Sequence, residues 1–188
     1  MRTIRSFNFI TLNGFFAGPG GDLSWHRHGE EEAAYAEEGV KGGSILLFGR
    51  ITYQMMASYW PTPMAAQALP VVAEGMNRAE KIVFSRTLAK ADWKNTRIMK
   101  GDIKQEIGKL KQTPGKDMTI LGSGSIVRQF AEWGLIDEYQ LMIDPVVLGD
   151  GAQFMKGLRQ KLDLKLTGTR TFKSGVVLLT YRAMNRPA

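Results

Sequence analysis

Short apolar runs of strand length alternate along this chain with segments whose apolar residues recur every three or four positions. Residues 4–10 open the series as a strand, with Ile4, Phe7, Phe9 and Ile10 supplying the bulk. Residues 11–25 follow as a loop, marked by Asn13-Gly14 and Gly18-Pro19-Gly20-Gly21. Residues 29–41 favour helix, with acidic side chains in the first turn, where the helix dipole stabilises them. Ile45 to Phe48 and Lys81 to Phe84 have the composition of strands covered on both faces. Between them, Arg50 to Tyr59 reads as a short helix ended by Pro61. A second helix, Pro63 to Met76, carries Ala65, Leu69, Val72 and Met76 on one face. Arg97 to Met99 is a brief strand. Asp102 caps a helix whose Ile103, Ile107 and Leu110 share a face.

Met118 to Leu121 is a further strand, which runs through Gly122-Ser123-Gly124-Ser125 into a helix that reaches Trp133 and stops at Gly134. From residue 138 onward the pattern is strand only. Residues 138–148 are apolar strand material interrupted by Asp144-Pro145. Leu162, Leu164 and Leu166 alternate with charged residues as a strand with one wet face. Lys173-Ser174-Gly175 turns the chain into a last strand, Val176 to Tyr181, completing a C-terminal hairpin. Strand and helix thus alternate for most of the length, which implies right-handed crossovers and a mostly parallel sheet with an antiparallel edge.

At 188 residues the chain has the size of one domain, 1–188, large enough to bury a core without staples. The absence of cysteine excludes thiol catalysis, disulfides and cysteine-ligated metal. The only histidines are His26 and His28, too few for a histidine metal site, so no metal is expected. Both read as surface residues on a loop free to move. A net charge of +7 suits an anionic small molecule. The basic residues are scattered with no aromatic ladder, which argues against nucleic acid. No signal peptide and no apolar run of membrane-spanning length is visible, so a cytoplasmic protein is expected.

Three turns carry candidate chemistry, each at the carboxyl end of an expected parallel strand, where open α/β sheets bind ligands. Gly122, Ser123, Gly124, Ser125 and Ile126 form a glycine turn into a helix, which suits a phosphate but is as often purely structural. Gly49, Arg50 and Thr52 offer a close approach, a guanidinium and a hydroxyl, with an ordinary strand-end arginine as the alternative. Ser85 and Arg86 repeat that chemistry. Together they suit a long ligand bearing several phosphates. The early loop adds Asn13, Phe16, Asp22 and Trp25, which would cover a flat ligand or simply pack on the sheet. Glu30, Glu31 and Glu32 read as a helix-start charge cluster.

In this order, TLNGFFAG, DLSW, LLFGRITY, KIVFSRTL, ILGSGSIVRQF and LIDEYQLMIDPVVLGDGAQF resemble the dihydrofolate reductase-like superfamily, in particular its RibD C-terminal domain branch. The resemblance implies a three-layer fold with a central sheet of about eight strands. It also implies hydride transfer from NADPH to a small heterocyclic or carbonyl substrate, as in 5-amino-6-(5-phosphoribosylamino)uracil reductase and dihydrofolate reductase. On it, Gly49, Arg50 and Thr52 would meet the cofactor's phosphates, Ser85 and Arg86 its 2′-phosphate, and Gly122 to Ile126 its pyrophosphate. Asn13 and Asp22 would stand at the reacting centre, and Asn13, Phe16, Trp25 and Tyr53 against the substrate. Two positions depart from the pattern: Asn13 stands where an aspartate is common, and no glutamate enters the last glycine turn. No indispensable side-chain acid is therefore expected. A binding protein for a nucleotide or pterin is the alternative reading. A homodimer is expected, because strand 138–148 looks too apolar for a free sheet edge.

Overall fold

The computed structural model describes residues 1–184; the last four residues of the expected domain 1–188 lie outside the described part. The chain folds around one eight-stranded sheet. Its strands are β1 (Ile4–Thr11), β3 (Ile45–Gly49), β4 (Lys81–Phe84), β5 (Thr96–Met99), β6 (Met118–Leu121), β7 (Glu138–Asp144), β9 (Leu164–Thr171) and β10 (Val177–Ala183). They lie in the order β5-β4-β3-β6-β1-β7-β10-β9. The first six of these positions run parallel. The last two form the expected antiparallel hairpin on β7. β2 (Phe15–Ala17) and β8 (Ala152–Gln153) make a separate two-stranded antiparallel pair, which sequence patterning missed because both are very short.

The all-apolar runs become the centre of the sheet, and the period of two decides which residue faces which layer. Ile45 and Leu47 of β3 face α5 (Ile103–Gln112) and α6 (Gly124–Glu132), packing with Ile107, Val127 and Phe130. Leu46 and Phe48 face the other way, toward α2 (Arg50–Tyr59) and α4 (Pro70–Arg78), where Tyr53, Val72 and Met76 receive them. α1 (Glu30–Lys41) lies on this second side, with Ala36 and Val40 against the same cluster. The result is three layers, helices on both faces of one sheet.

Three expectations change. The helix expected over Pro63 to Met76 is two helices, α3 (Pro63–Ala68) and α4, separated at Leu69 with φ −142° and ψ 69°. Pro70 forces its predecessor out of the helical region, so the apolar spacing continues while the hydrogen bonding does not. The alternation at Leu162 to Leu166 marks the wrong start: β9 begins at Leu164, continues to Thr171, and leaves Leu166 half exposed because nothing pairs beyond it. The apolar strand after residue 138 is no edge. β7 lies between β1 and β10, so both of its edges are paired within the chain and the stated reason for a dimer disappears.

Among the described residues no helix is long and apolar enough to cross a membrane. α1 is tied to the C-terminal hairpin by its acidic first turn: Glu31 accepts the Lys173 amide at 2.8 Å, and buried Glu32 accepts the Ser174 hydroxyl. The Lys173 amide holds the Glu31 carboxyl below its ordinary value.

Lys81, the first residue of β4, is 1% exposed. Its Nζ donates to the carbonyls of Asn77, Ala79 and Lys94 at 3.1, 2.7 and 3.0 Å and stands 4.4 Å from the Trp93 ring centre. Burial pushes the ammonium down to about 8, so it still holds its proton at neutral pH. It thereby closes the end of α4 and fastens the loop before β5. Lys81→Met keeps the stem and strands those carbonyls, and is expected to cost about 2–4 kcal/mol. Urea unfolding measures it, and a midpoint equal to the wild type contradicts this role.

Candidate active site

After β5 the chain returns to insert β6 between β3 and β1, and so gathers the carboxyl ends of β1, β3, β4 and β6 at one rim. A cleft of ≈ 1720 Å³ opens there and runs down the α1 side of the sheet. Gly49, Arg50, Thr52, Ser85, Arg86 and the turn Gly122 to Ile126 all line it, so the three turns chosen from sequence converge on one site.

The turn after β6 is built by two consecutive left-handed residues, Gly122 with φ 62° and Ser123 with φ 53°. A serine there costs about 1–3 kcal/mol of backbone strain. Its hydroxyl accepts the Gly49 amide at 2.8 Å, which fixes the turn after β3 against the turn after β6. A Cβ on Gly49 would meet Ile126 Cγ1 at 3.3 Å, a tight contact that the Ile126 side chain would have to yield to. At Gly124 a Cβ would lie 2.7 Å from the Phe16 ring, which sits over the start of α6. The amides of Gly124 and Ser125, in the first turn of α6, have no acceptor within the helix. With no side-chain cap on Ser123, this end is open to an anion.

The remaining residues divide. The exposed Arg50 guanidinium donates to Gln54 at 3.0 Å along its own helix. Ser85 spends its hydroxyl on the amides of Thr87 and Leu88, at 3.2 and 2.9 Å, and so shapes the turn that presents Arg86. Ile126 reaches into the core below the helix. Phe16 is a cleft residue; Asn13, Asp22, Trp25 and Tyr53 are not among those that line it. Asn13 is a clamp, donating to the Leu148 carbonyl at 2.7 Å and accepting the Leu148 amide at 3.2 Å. Tyr53 is core, 3% exposed, its hydroxyl accepting the Trp93 amide at 3.1 Å. Trp25 donates its indole N–H to the Asp22 carbonyl at 3.0 Å. The Ser24 amide, and after it the Ser24 hydroxyl, holds the exposed Asp22 carboxyl below its ordinary value, so at neutral pH it has no proton to give.

Two groups on the cleft wall escaped sequence reasoning. Asn8 on β1 is 1% exposed, donates to the Gly122 carbonyl at 3.1 Å, and leaves its Oδ1 without a partner among the described residues. The second is His26, read from sequence as surface but buried in the structure. It stacks on Phe9 with ring centres 3.7 Å apart and holds Asp144 Oδ2 at 2.7 Å through Nδ1. The interruption of an apolar strand by Asp144 was its one sequence signal, and its partner lies 118 positions upstream. His28, by contrast, is exposed at the rim.

The family described as the RibD C-terminal domain matches residues 2–178. The uncharacterized protein YyaP of Bacillus subtilis (strain 168) is 34% identical over 173 residues, which span 92% of this chain and 90% of YyaP. Among solved structures, a candidate riboflavin biosynthesis protein from Shewanella sp. PV-4 superposes with a TM-score of 0.73 at 20% identity, over 97% of this chain and 99% of that one. Dihydrofolate reductase from Enterococcus faecalis, complexed with NADP(H) and RAB-propyl, superposes at 0.64 and 15% identity, over 97% of each chain. The sheet is thus of the dihydrofolate reductase-like kind, and the chain belongs to the RibD C-terminal domain family.

Proposed function

We propose that this protein is an NADPH-dependent reductase of a small heterocyclic or carbonyl substrate. The observation that carries the reading is the convergence of three phosphate-suited turns on one cleft with an open helix start. The residues fit a dinucleotide. Gly49, Gly122 and Gly124 leave the backbone bare where a pyrophosphate must approach closely. Arg50 and Arg86 offer guanidinium forks to the 2′-phosphate that distinguishes NADPH from NADH. The buried, unpartnered Asn8 Oδ1 is an acceptor for a ligand N–H or O–H. The Enterococcus faecalis neighbour, complexed with NADP(H), supports the same reading. When bound, the reduced nicotinamide supplies a hydride, and the chain binds, orients and excludes water around it. The aromatic floor of Phe7, Phe9 and Tyr35 suits a flat substrate lying on the sheet.

NADPH is expected to bind more tightly than NADH. Arg50→Ala removes one charge-assisted contact, on the order of 1.5–3 kcal/mol, and should weaken NADPH roughly ten- to hundredfold while leaving NADH nearly unchanged. Calorimetric titration of both cofactors checks this, and equal affinities in the wild type would sink the cofactor assignment.

A homodimer belongs to the proposal on a different ground from the one read in sequence. The outer side of β9 is an eight-residue strand edge to which no strand of the described residues is paired. Such an edge invites a second chain. Sedimentation at micromolar concentration is expected to give twice the 20.9 kDa chain mass; a monomer throughout removes the dimer.

A further inference from the structure

His26 is a buried titratable side chain on the cleft wall whose hydrogen bonding leaves one ring nitrogen uncommitted. Its Nδ1 faces the carboxylate of Asp144 at 2.7 Å, and Asp144 is wholly buried. The other carboxylate oxygen accepts the Arg27 amide at 2.8 Å, so the anion is held at both ends. A carboxylate only accepts, so Nδ1 carries the proton in either charge state of the ring. That leaves Nε2 as the nitrogen that gains and loses a proton, and it has no hydrogen-bond partner among the described residues. The ring packs against Phe9 at a tilt of 35°, and the exposed His28 stands nearly perpendicular to it with centres 4.4 Å apart.

The Arg27 guanidinium donates to the Ser174 carbonyl at 2.8 Å, and the Glu32 carboxylate holds the Ser174 hydroxyl. Burial, and after it the neighbouring His26, pushes His28 below the ordinary histidine value. Asp144 is therefore the charge in direct contact with the His26 ring, and it fixes the ring's orientation.

Resting on the reductase reading, we propose that His26 is the proton donor of the reaction and Asp144 its positioning residue. The substrate is then one with a carbon–oxygen or carbon–nitrogen double bond. Hydride adds to the carbon, the π pair moves onto the heteroatom, and that heteroatom takes the proton from Nε2. The nicotinamide leaves oxidised, the imidazole is left neutral, and solvent returns its proton at the rim where His28 stands. This replaces the expectation that no side-chain acid is needed. Asp22 and Asn13, the earlier candidates, are respectively a stabilised anion outside the cleft lining and a backbone clamp.

The test combines a ring readout with a kinetic one on the full chain. With only two histidines, ¹⁵N-histidine labelling gives two rings, and His28→Gln assigns them. The neutral His26 ring is expected to carry its proton on Nδ1, and its Nε2 signal to move when NADP⁺ saturates the cleft. In Asp144→Asn the amide oxygen keeps the Arg27 N–H and the amide nitrogen faces Nδ1, so the neutral ring's proton should pass to Nε2. With NADPH and a panel of aldehydes, quinones and cyclic imines, His26→Gln is expected to lower kcat and kcat/KM together by about 100-fold or more. NADPH affinity should stay near wild type. A neutral His26 with its proton on Nε2, an Nε2 signal indifferent to bound NADP⁺, or a His26→Gln enzyme of undiminished kcat each overturns the assignment while leaving the reductase reading standing. Failure of NADP⁺ and NADPH to bind at all overturns both.

Discussion

The hydrogen bond from the Gly49 amide to the Ser123 hydroxyl is the contact on which the cleft depends. It joins turns that are 74 residues apart in sequence, and it exists only because β6 inserts between β3 and β1. Ser123 accepts a left-handed backbone to make it, and Gly49 gives up a side chain. With those two turns fixed, the start of α2 and the start of α6 face one space. Their first turns and the Arg50 guanidinium then border one cleft rather than separate patches of solvent. Local strain at one serine is thus what assembles a site from two ordinary strand ends.

Charge is distributed unevenly along the cleft. Arg50 and Arg86 stand at the rim of β3 and β4, whereas Arg5, Arg78 and Lys116 share the rest of the lining with Glu30, Glu32 and Glu38. The net charge of +7 gives the sign of a general attraction for anions, and the rim beside the glycine turns is where arginine is not offset by a lining carboxylate.

Most of the sheet and the glycine-turn rim of the cleft were legible in the sequence because both are local. Ile45 to Phe48 and Lys81 to Phe84 announce doubly covered strands, and the glycine, serine and arginine that follow each run are carried to the rim by the strand itself. The His26 wall was not legible because it is made by contacts between distant segments. His26 meets Asp144 only once β7 lies beside β1, and no spacing encodes that. Tyr53 was misplaced for another reason. Its helix carries apolar residues on two faces, Tyr53 and Met56 inward and Ile51 and Met55 outward, so periodicity could not say which side meets the core. Asn13 was read as chemistry because polar residues in glycine loops serve ligands and backbone alike.

The small β2–β8 pair makes one unit of two loops that the sequence keeps far apart. Asn13 holds both backbone groups of Leu148, the Phe154 amide donates to the Gly14 carbonyl at 2.8 Å, and Gly151, at φ 144°, passes so close to Ala17 that a Cβ would lie 2.3 Å from its carbonyl oxygen. Phe16 rides on this unit and packs against Gly124 at one side of the start of α6. The segments 11–17 and 146–154 are consequently a single inheritance: a relative's version of one, grafted without its version of the other, meets a surface shaped for a different loop. Substitutions in the two segments couple rather than add, and the rim of the cleft diversifies only by paired change.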